Sequence, residues 1–132
     1  MKCKLLSAIV LTLIVVLLSS FSFQLNNKKF EIIKWDGKEL TFKAVDDVPL
    51  KDISVVAGTI EYKTTFLSNT SGNLKFPSGS ILTPGSSFRG FADRIFIVLK
   101  ETTVECKFDD ISGKASKVYF YIDDGSKIEV NL

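Results

Sequence analysis

The chain has no histidine among its 132 residues, and that absence removes several chemistries at once. Ser-His-Asp and Cys-His nucleophile systems need an imidazole to move the proton, and histidine zinc sites need it as a ligand. Cysteine is almost as scarce. Cys3 lies in the N-terminal leader, so Cys106 is the only cysteine of the body. It can neither close an internal disulfide there nor build a thiolate zinc cluster within one chain. Gly72, Gly79, Gly85 and Gly90 are spread through turns, without the spacing or the lysine of a phosphate-binding loop. No catalytic residue, metal site or cofactor is therefore expected.

An excess of charge of one sign is missing too. The chain has 17 basic and 15 acidic residues, and setting aside Lys2 and Lys4 leaves 15 of each. A neutral body lacks the dense cationic face that nucleic acid rewards, so no nucleic-acid partner is expected.

What is present begins with one long apolar run. Leu5–Leu18 carries no charge and only two hydroxyls, Ser7 and Thr12. Its membrane-facing candidates are Leu5, Leu6, Ile9, Val10, Leu13, Ile14, Val15, Val16, Leu17 and Leu18. Lys2 and Lys4 precede it and Ser19, Ser20 and Ser22 follow, the layout of a secretory signal. Two outcomes are open. Residues 1–22 are cleaved and the mature chain starts at Phe23, or they persist as a signal-anchor, with Ser19–Leu25 extending the run toward the roughly 20 residues that span a bilayer. A helix in a soluble core should show a polar face, and this segment has none. The short basic leader favours an N-terminus held in the cytoplasm, although Lys28 and Lys29 weaken the asymmetry. The body is thus expected outside the cytoplasm, membrane-anchored or secreted, with a membrane partner through the N-terminal helix and a protein partner or self-assembly beyond it.

Residues 23–29 read as a polar linker and residues 30–132 as one β domain, large enough to bury a core. Alternating apolar runs and turn residues dominate it. Asp36-Gly37, between Phe30–Trp35 and Lys38–Ala44, predicts a two-residue hairpin turn that sets Ile33 opposite Leu40 and Lys34 opposite Glu39, with Trp35, Ile33, Leu40 and Phe42 on one face. Asp124-Gly125 predicts the same device, setting Tyr121 opposite Ile128 and Tyr119 opposite Val130 on an inner face, with Phe120 and Ile122 outside. Further strands are expected at Asp52–Val56, Thr59–Leu67, Ser80–Leu82, Arg94–Lys100 and Thr102–Phe108, with a loop at Ser68–Asn73 and turns at Pro77-Ser78-Gly79 and Pro84-Gly85. The fold class is all-β: an immunoglobulin-like β-sandwich preceded by one N-terminal hydrophobic helix. In the run Val104-Glu105-Cys106-Lys107-Phe108 the cysteine shares a face with Val104 and Phe108 and reads as core filler.

Val48-Pro49-Leu50-Lys51-Asp52-Ile53-Ser54-Val55, followed by Ile81-Leu82-Thr83-Pro84-Gly85-Ser86-Ser87-Phe88, resembles the immunoglobulin-like sandwiches of archaeal surface proteins. These include membrane-anchored accessory proteins of the archaeal flagellum and some pilus subunits. The sequence departs from them at Ala44-Val45-Asp46-Asp47, where many show Asn-Thr-Gly before the proline. The sandwich of late-embryogenesis-type desiccation proteins resembles it nearly as well. The first likeness implies a structural role in a cell-surface assembly and carries over no catalytic residue.

Three carboxylate pairs, Asp46-Asp47, Asp109-Asp110 and Asp123-Asp124, would hold calcium if loops brought them together, and otherwise serve turns and solubility. A glycosidase-like acid/base pair is not expected of them, because neighbouring side chains on an extended turn point apart. The segment Phe88–Arg94 holds both arginines of the chain, Arg89 and Arg94, interleaved with Phe88 and Phe91. Arginine and aromatics are what protein interfaces concentrate. These four residues are the interface candidates, the alternative being that the rings fill the core while the arginines pair with surface acids. Asn69-Thr70-Ser71 fits the N-glycosylation pattern, with Asn69 the acceptor on an expected loop. The expected role is non-enzymatic: a structural or protein-interaction component of a cell envelope or surface appendage. The alternative is a cleaved, secreted module that binds a sugar or calcium.

Overall fold

The computed structural model describes residues 29–132. The apolar segment of residues 1–22 and the linker before Lys29 lie outside the described residues. The rest is all-β: β1 (Phe30–Trp35), β2 (Glu39–Ala44), β3 (Val48–Ala57), β4 (Ile60–Lys63), β5 (Phe66–Ser71), β6 (Leu74–Lys75), β7 (Ile81–Leu82), β8 (Ser87–Phe88), β9 (Phe96–Val98), β10 (Thr103–Lys107), β11 (Ala115–Ile122) and β12 (Lys127–Asn131). Among the described residues no helix is long and apolar enough to cross a membrane.

The strands form two antiparallel sheets. One runs β1-β2-β10-β5-β8; the other runs β12-β11-β3-β9-β6-β7, with β4 also paired to β3. Alternation drives the layering, because every second side chain of a strand points to the same face. Leu40, Phe42 and Ala44 from β2, Val104 and Cys106 from β10, and Val118, Phe120 and Ile122 from β11 all turn into one buried core. Phe120 of the second sheet stacks on Phe30 of the first at 4.1 Å between ring centres and meets Phe42 edge-on at 5.0 Å. A second aromatic group gathers on Phe96, with Phe88, Phe76 and Phe91 at 4.9, 5.2 and 5.6 Å. Cys106 sits in register between Leu40 and Leu67, fully buried, and burial pushes its thiol pKa up. In that state it packs as an apolar side chain and is not a nucleophile.

Both Asp-Gly hairpins form, and both registers differ from the two-residue expectation. In the first, Trp35 pairs with Leu40 and Lys34 with Thr41, and a bulge at Ile33 precedes the Ile32–Phe42 pair. Ile33, expected inside, is 55% exposed. The cause is Asp36: its Oδ1 accepts hydrogen bonds from the N–H groups of Lys38 (2.9 Å) and Glu39 (2.7 Å), which widens the loop. The same bonds hold the Asp36 carboxyl below its ordinary pKa. The bulge then restores the pattern, so that Phe30, Ile32 and Trp35 all pack inward.

In the second hairpin Tyr121 pairs with Lys127, Phe120 with Ile128 and Val118 with Val130, one residue off the expected alignment. The loop has three residues, closed by hydrogen bonds from Ile122 N to Ser126 O (2.9 Å) and from Gly125 N to Ile122 O (3.0 Å). Gly125 supplies the positive φ (90°) that such a loop needs. A one-residue slip moves every side chain to the other face. Phe120 and Ile122 are therefore in the core, and Tyr119 and Tyr121 stand on the outer surface.

The expected strand Thr59–Leu67 is two strands in two sheets. The chain crosses at Thr64-Thr65, where the buried Thr64 hydroxyl donates to the carbonyls of Phe66 (2.8 Å) and Lys107 (2.9 Å). The expected loop Ser68–Asn73 is mostly strand β5, and Asn69 points inward, fully buried.

Candidate functional site

Strand β3 changes partners along one edge, and the site lies at the change. Val48–Leu50 pair with β9, while Ser54–Ala57 pair with β4. Between them Lys51 and Asp52 have no strand partner on that edge among the described residues, and the pairing with β11 on the other edge shifts register at the same place. Beside this gap opens a cleft of about 590 Å³, lined by Lys51, Asp52, Glu61, Lys63, Asp93, Arg94, Ile95 and Tyr121. An adjoining hollow of about 230 Å³ shares Lys51, Asp52, Lys63 and Asp93 and adds Arg89 at its rim.

The wall of the cleft is the Phe88–Arg94 loop. Phe91 is buried and Phe88 half-buried, both against Phe96, while Arg89 and Arg94 are exposed. The rings thus fill the core as the alternative for this segment held, but the arginines do not pair: among the described residues neither has a carboxylate within ion-pair distance. Gly90, Ala92 and Asp93 all have positive φ, at 63°, 47° and 61°. Gly90 is buried against Thr64, and a Cβ there would meet the Thr64 carbonyl oxygen at 2.8 Å. The loop is anchored from below by two rings and a close backbone contact, and it carries its cations outward.

The floor and far wall belong to the second sheet's outer face. Asp52 pairs with Lys63 at 3.1 Å, and that carboxylate raises the lysine's pKa above its ordinary value. The Tyr121 hydroxyl donates to Glu61. Burial first, then the Glu61 carboxylate, pushes the phenol's pKa up. Tyr121 lies opposite Asp52 and Glu61 opposite Val56, so the bridge between them crosses Ser54. Ser54 is fully buried, and its hydroxyl has no hydrogen-bond partner among the described residues. Among the described residues three cations around the cleft, Lys51, Arg89 and Arg94, have no carboxylate within ion-pair distance, against two carboxylates that are likewise in no ion pair, Asp93 and the Glu61 that accepts from Tyr121.

The other candidates are placed elsewhere. The Asn69 side-chain nitrogen is enclosed and donates to the carbonyls of Gly72 and Leu82 (both 3.3 Å), which leaves no room for a glycan in the folded chain. Asp47, Asp123 and Asp124 line a separate hollow of about 380 Å³ with Lys29. Asp47 there accepts from Lys100 N (2.6 Å) and Asp124 from Ser126 N (2.8 Å), so both serve turns. Among the described residues no three potential metal ligands come together.

Sequence reasoning located the loop but missed Lys51, Asp52, Glu61, Lys63 and Tyr121. The Lys51-Asp52 step within an apolar strand and the exposed Glu61/Lys63 alternation were the available signals. Comparison with protein-family models, curated proteins and solved structures finds no match to this chain.

Proposed function

We propose that the chain is an immunoglobulin-like β-sandwich, tethered to or exported across a membrane by residues 1–22, that serves as a non-enzymatic protein-interaction component of a cell envelope or surface appendage. The observation that carries this reading is the Phe88–Arg94 loop. It presents two arginines that have no ion-pair partner among the described residues beside a cleft, while its phenylalanines hold the backbone in place. A contact residue on an anchored loop loses little backbone freedom on binding, which favours affinity. The uncharged run Leu5–Leu18 supports a body outside the cytoplasm.

The test is topology in cells expressing the full chain. The product should sediment with membranes, and its body should be digested by protease added outside. An intact product recovered from the cytosol would overturn the reading. The second reading, a cleaved module binding a sugar or calcium, draws for the sugar on the carboxylates and tyrosine of the cleft. It requires a soluble product with its N-terminus near Phe23, which mass spectrometry of the mature protein would detect.

A further inference from the structure

We infer that the cleft beside the Phe88–Arg94 loop takes an acidic peptide, an extended segment whose carboxylates are held by Arg89, Arg94 and Lys51. This deepens the protein-interaction reading and rests on it. Three features of the cleft select this ligand. Among the described residues the cations at its mouth have no carboxylate within ion-pair distance, whereas Lys63 is already held by Asp52, so the surplus positive charge lies at the rim. Guanidinium groups bind carboxylates through paired, parallel hydrogen bonds, which a flexible ammonium cannot match.

The second feature is the gap in β3. Among the described residues Lys51-Asp52 has no strand partner on that edge, while the next residue, Ile53, is already held through its N–H to Asp52 Oδ1 (2.9 Å) and its carbonyl to Thr64 N (3.0 Å). A gap of this length, about 7 Å along the strand, gives a peptide crossing it one or two main-chain hydrogen bonds and not a whole added strand. The third is the carboxylates that remain. Asp52, Glu61 and Asp93 stand among the cations, so a ligand bearing a continuous ladder of negative charge meets repulsion along its length. One or two carboxylates spaced along a peptide fit between them. The volume, about 590 Å³, suits a few residues.

The experiment uses the full chain in detergent micelles and a fluorescent peptide, Gly-Glu-Ser-Glu-Ser-Gly, read by polarisation against its Gln-for-Glu counterpart. The acidic peptide should bind saturably, with the glutamine peptide weaker by roughly tenfold. The R89A/R94A double variant should lose a similar factor while its unfolding midpoint stays unchanged, since both side chains are exposed. Equal binding of the two peptides would overturn the acidic class and leave the loop as a contact surface. Binding of neither would overturn both. Tighter binding of heparin than of the peptide would overturn the proposal in favour of a polyanion.

Discussion

The outer face of the first sheet and the cleft on the second have similar residues and opposite character. On the first sheet, charges meet their complements across neighbouring strands. Glu39 lies in register with Lys107 and pairs with it at 3.6 Å, Lys43 reaches Glu101 at 3.2 Å, and Lys107 also sits over the Phe66 ring. The pairing of β2 with β10 holds its register over all five residues, and that of β10 with β5 shifts once, at Thr103/Val104, so most outward side chains there have a lateral neighbour. On the second sheet the central strand exchanges one partner for another, and among the described residues the lateral neighbours of Lys51 and Asp52 are missing on that edge. A continuous ladder makes a flat, self-satisfied surface. A broken one makes a concave surface whose charges look outward for partners.

The largest test removes what both faces share. Phe120 stacks between the sheets against Phe30 and Phe42. Phe120→Ala should cost about 3–5 kcal/mol, the range for deleting a buried ring. It should weaken both faces together, measured as a shift in the urea unfolding midpoint with little change in slope. A loss under about 1 kcal/mol would mean that the sheets are not held by this stack.

Gly90→Ala should separate the faces. It puts a Cβ against the Thr64 carbonyl oxygen at a backbone φ of 63°, a conformation that non-glycine residues adopt at a cost. A destabilisation of about 1–3 kcal/mol is expected. Amide exchange should accelerate at Thr64 and around the cleft while β2 and β10 keep their protection. Uniform acceleration would show that the loop is part of the global fold and no local wall.

Alkaline stability gives a smaller, signed effect. The folded chain holds the Tyr121 proton above the ordinary tyrosine pKa near 10. In alkaline solution the native state therefore binds more protons than the unfolded state. The contribution is complete below about pH 10 and declines as pH rises beyond it. Lys63, Lys117 and Cys106 are shifted in the same direction, so the decline is shared. Tyr121→Phe should make the fall in unfolding midpoint between pH 9 and pH 11 shallower without abolishing it. An unchanged slope would sever the tyrosine from the cleft's electrostatics.

Most of this contrast was only half legible in the sequence. The two Asp-Gly turns and most of the longer strands are local signals and lie where alternation and turn chemistry place them, whereas Thr59–Leu67 is split between two sheets and Ser68–Ser71 is strand where a loop was expected. Register depends on finer choices. Asp36 and Asp124 each accept a backbone N–H two residues ahead, and that capture resized both loops and turned Tyr119 and Tyr121 outward. The sheet change at Thr64 rests on a carbonyl 43 residues away, beyond any local pattern. Asn69 lies in a stretch rich in turn-forming residues, yet it follows the alternation of Leu67 into the interior. The arginines of the cleft were visible because interface composition is a local property. Their neighbours Asp52, Glu61 and Lys63 lie on the hairpin of β3 and β4, which meets the arginine loop only through tertiary packing.

The finest comparison sets one ion pair from each face against the other. Asp52–Lys63 is closer than Glu39–Lys107, 3.1 against 3.6 Å, and its carboxylate is less exposed, 22% against 38%. Pairs on a protein surface contribute about 0.2–1 kcal/mol. Double-mutant cycles with alanine at each position should put Asp52–Lys63 toward the top of that range and Glu39–Lys107 toward the bottom. Salt should weaken both pairs, because the lysine of each is well exposed, Lys63 at 75% and Lys107 at 42%. If the flat face gave the larger coupling, local burial at the gap would not be strengthening the cleft's electrostatics. The rim cations would then sit in water as ordinary surface charges, with no special claim on a carboxylate ligand.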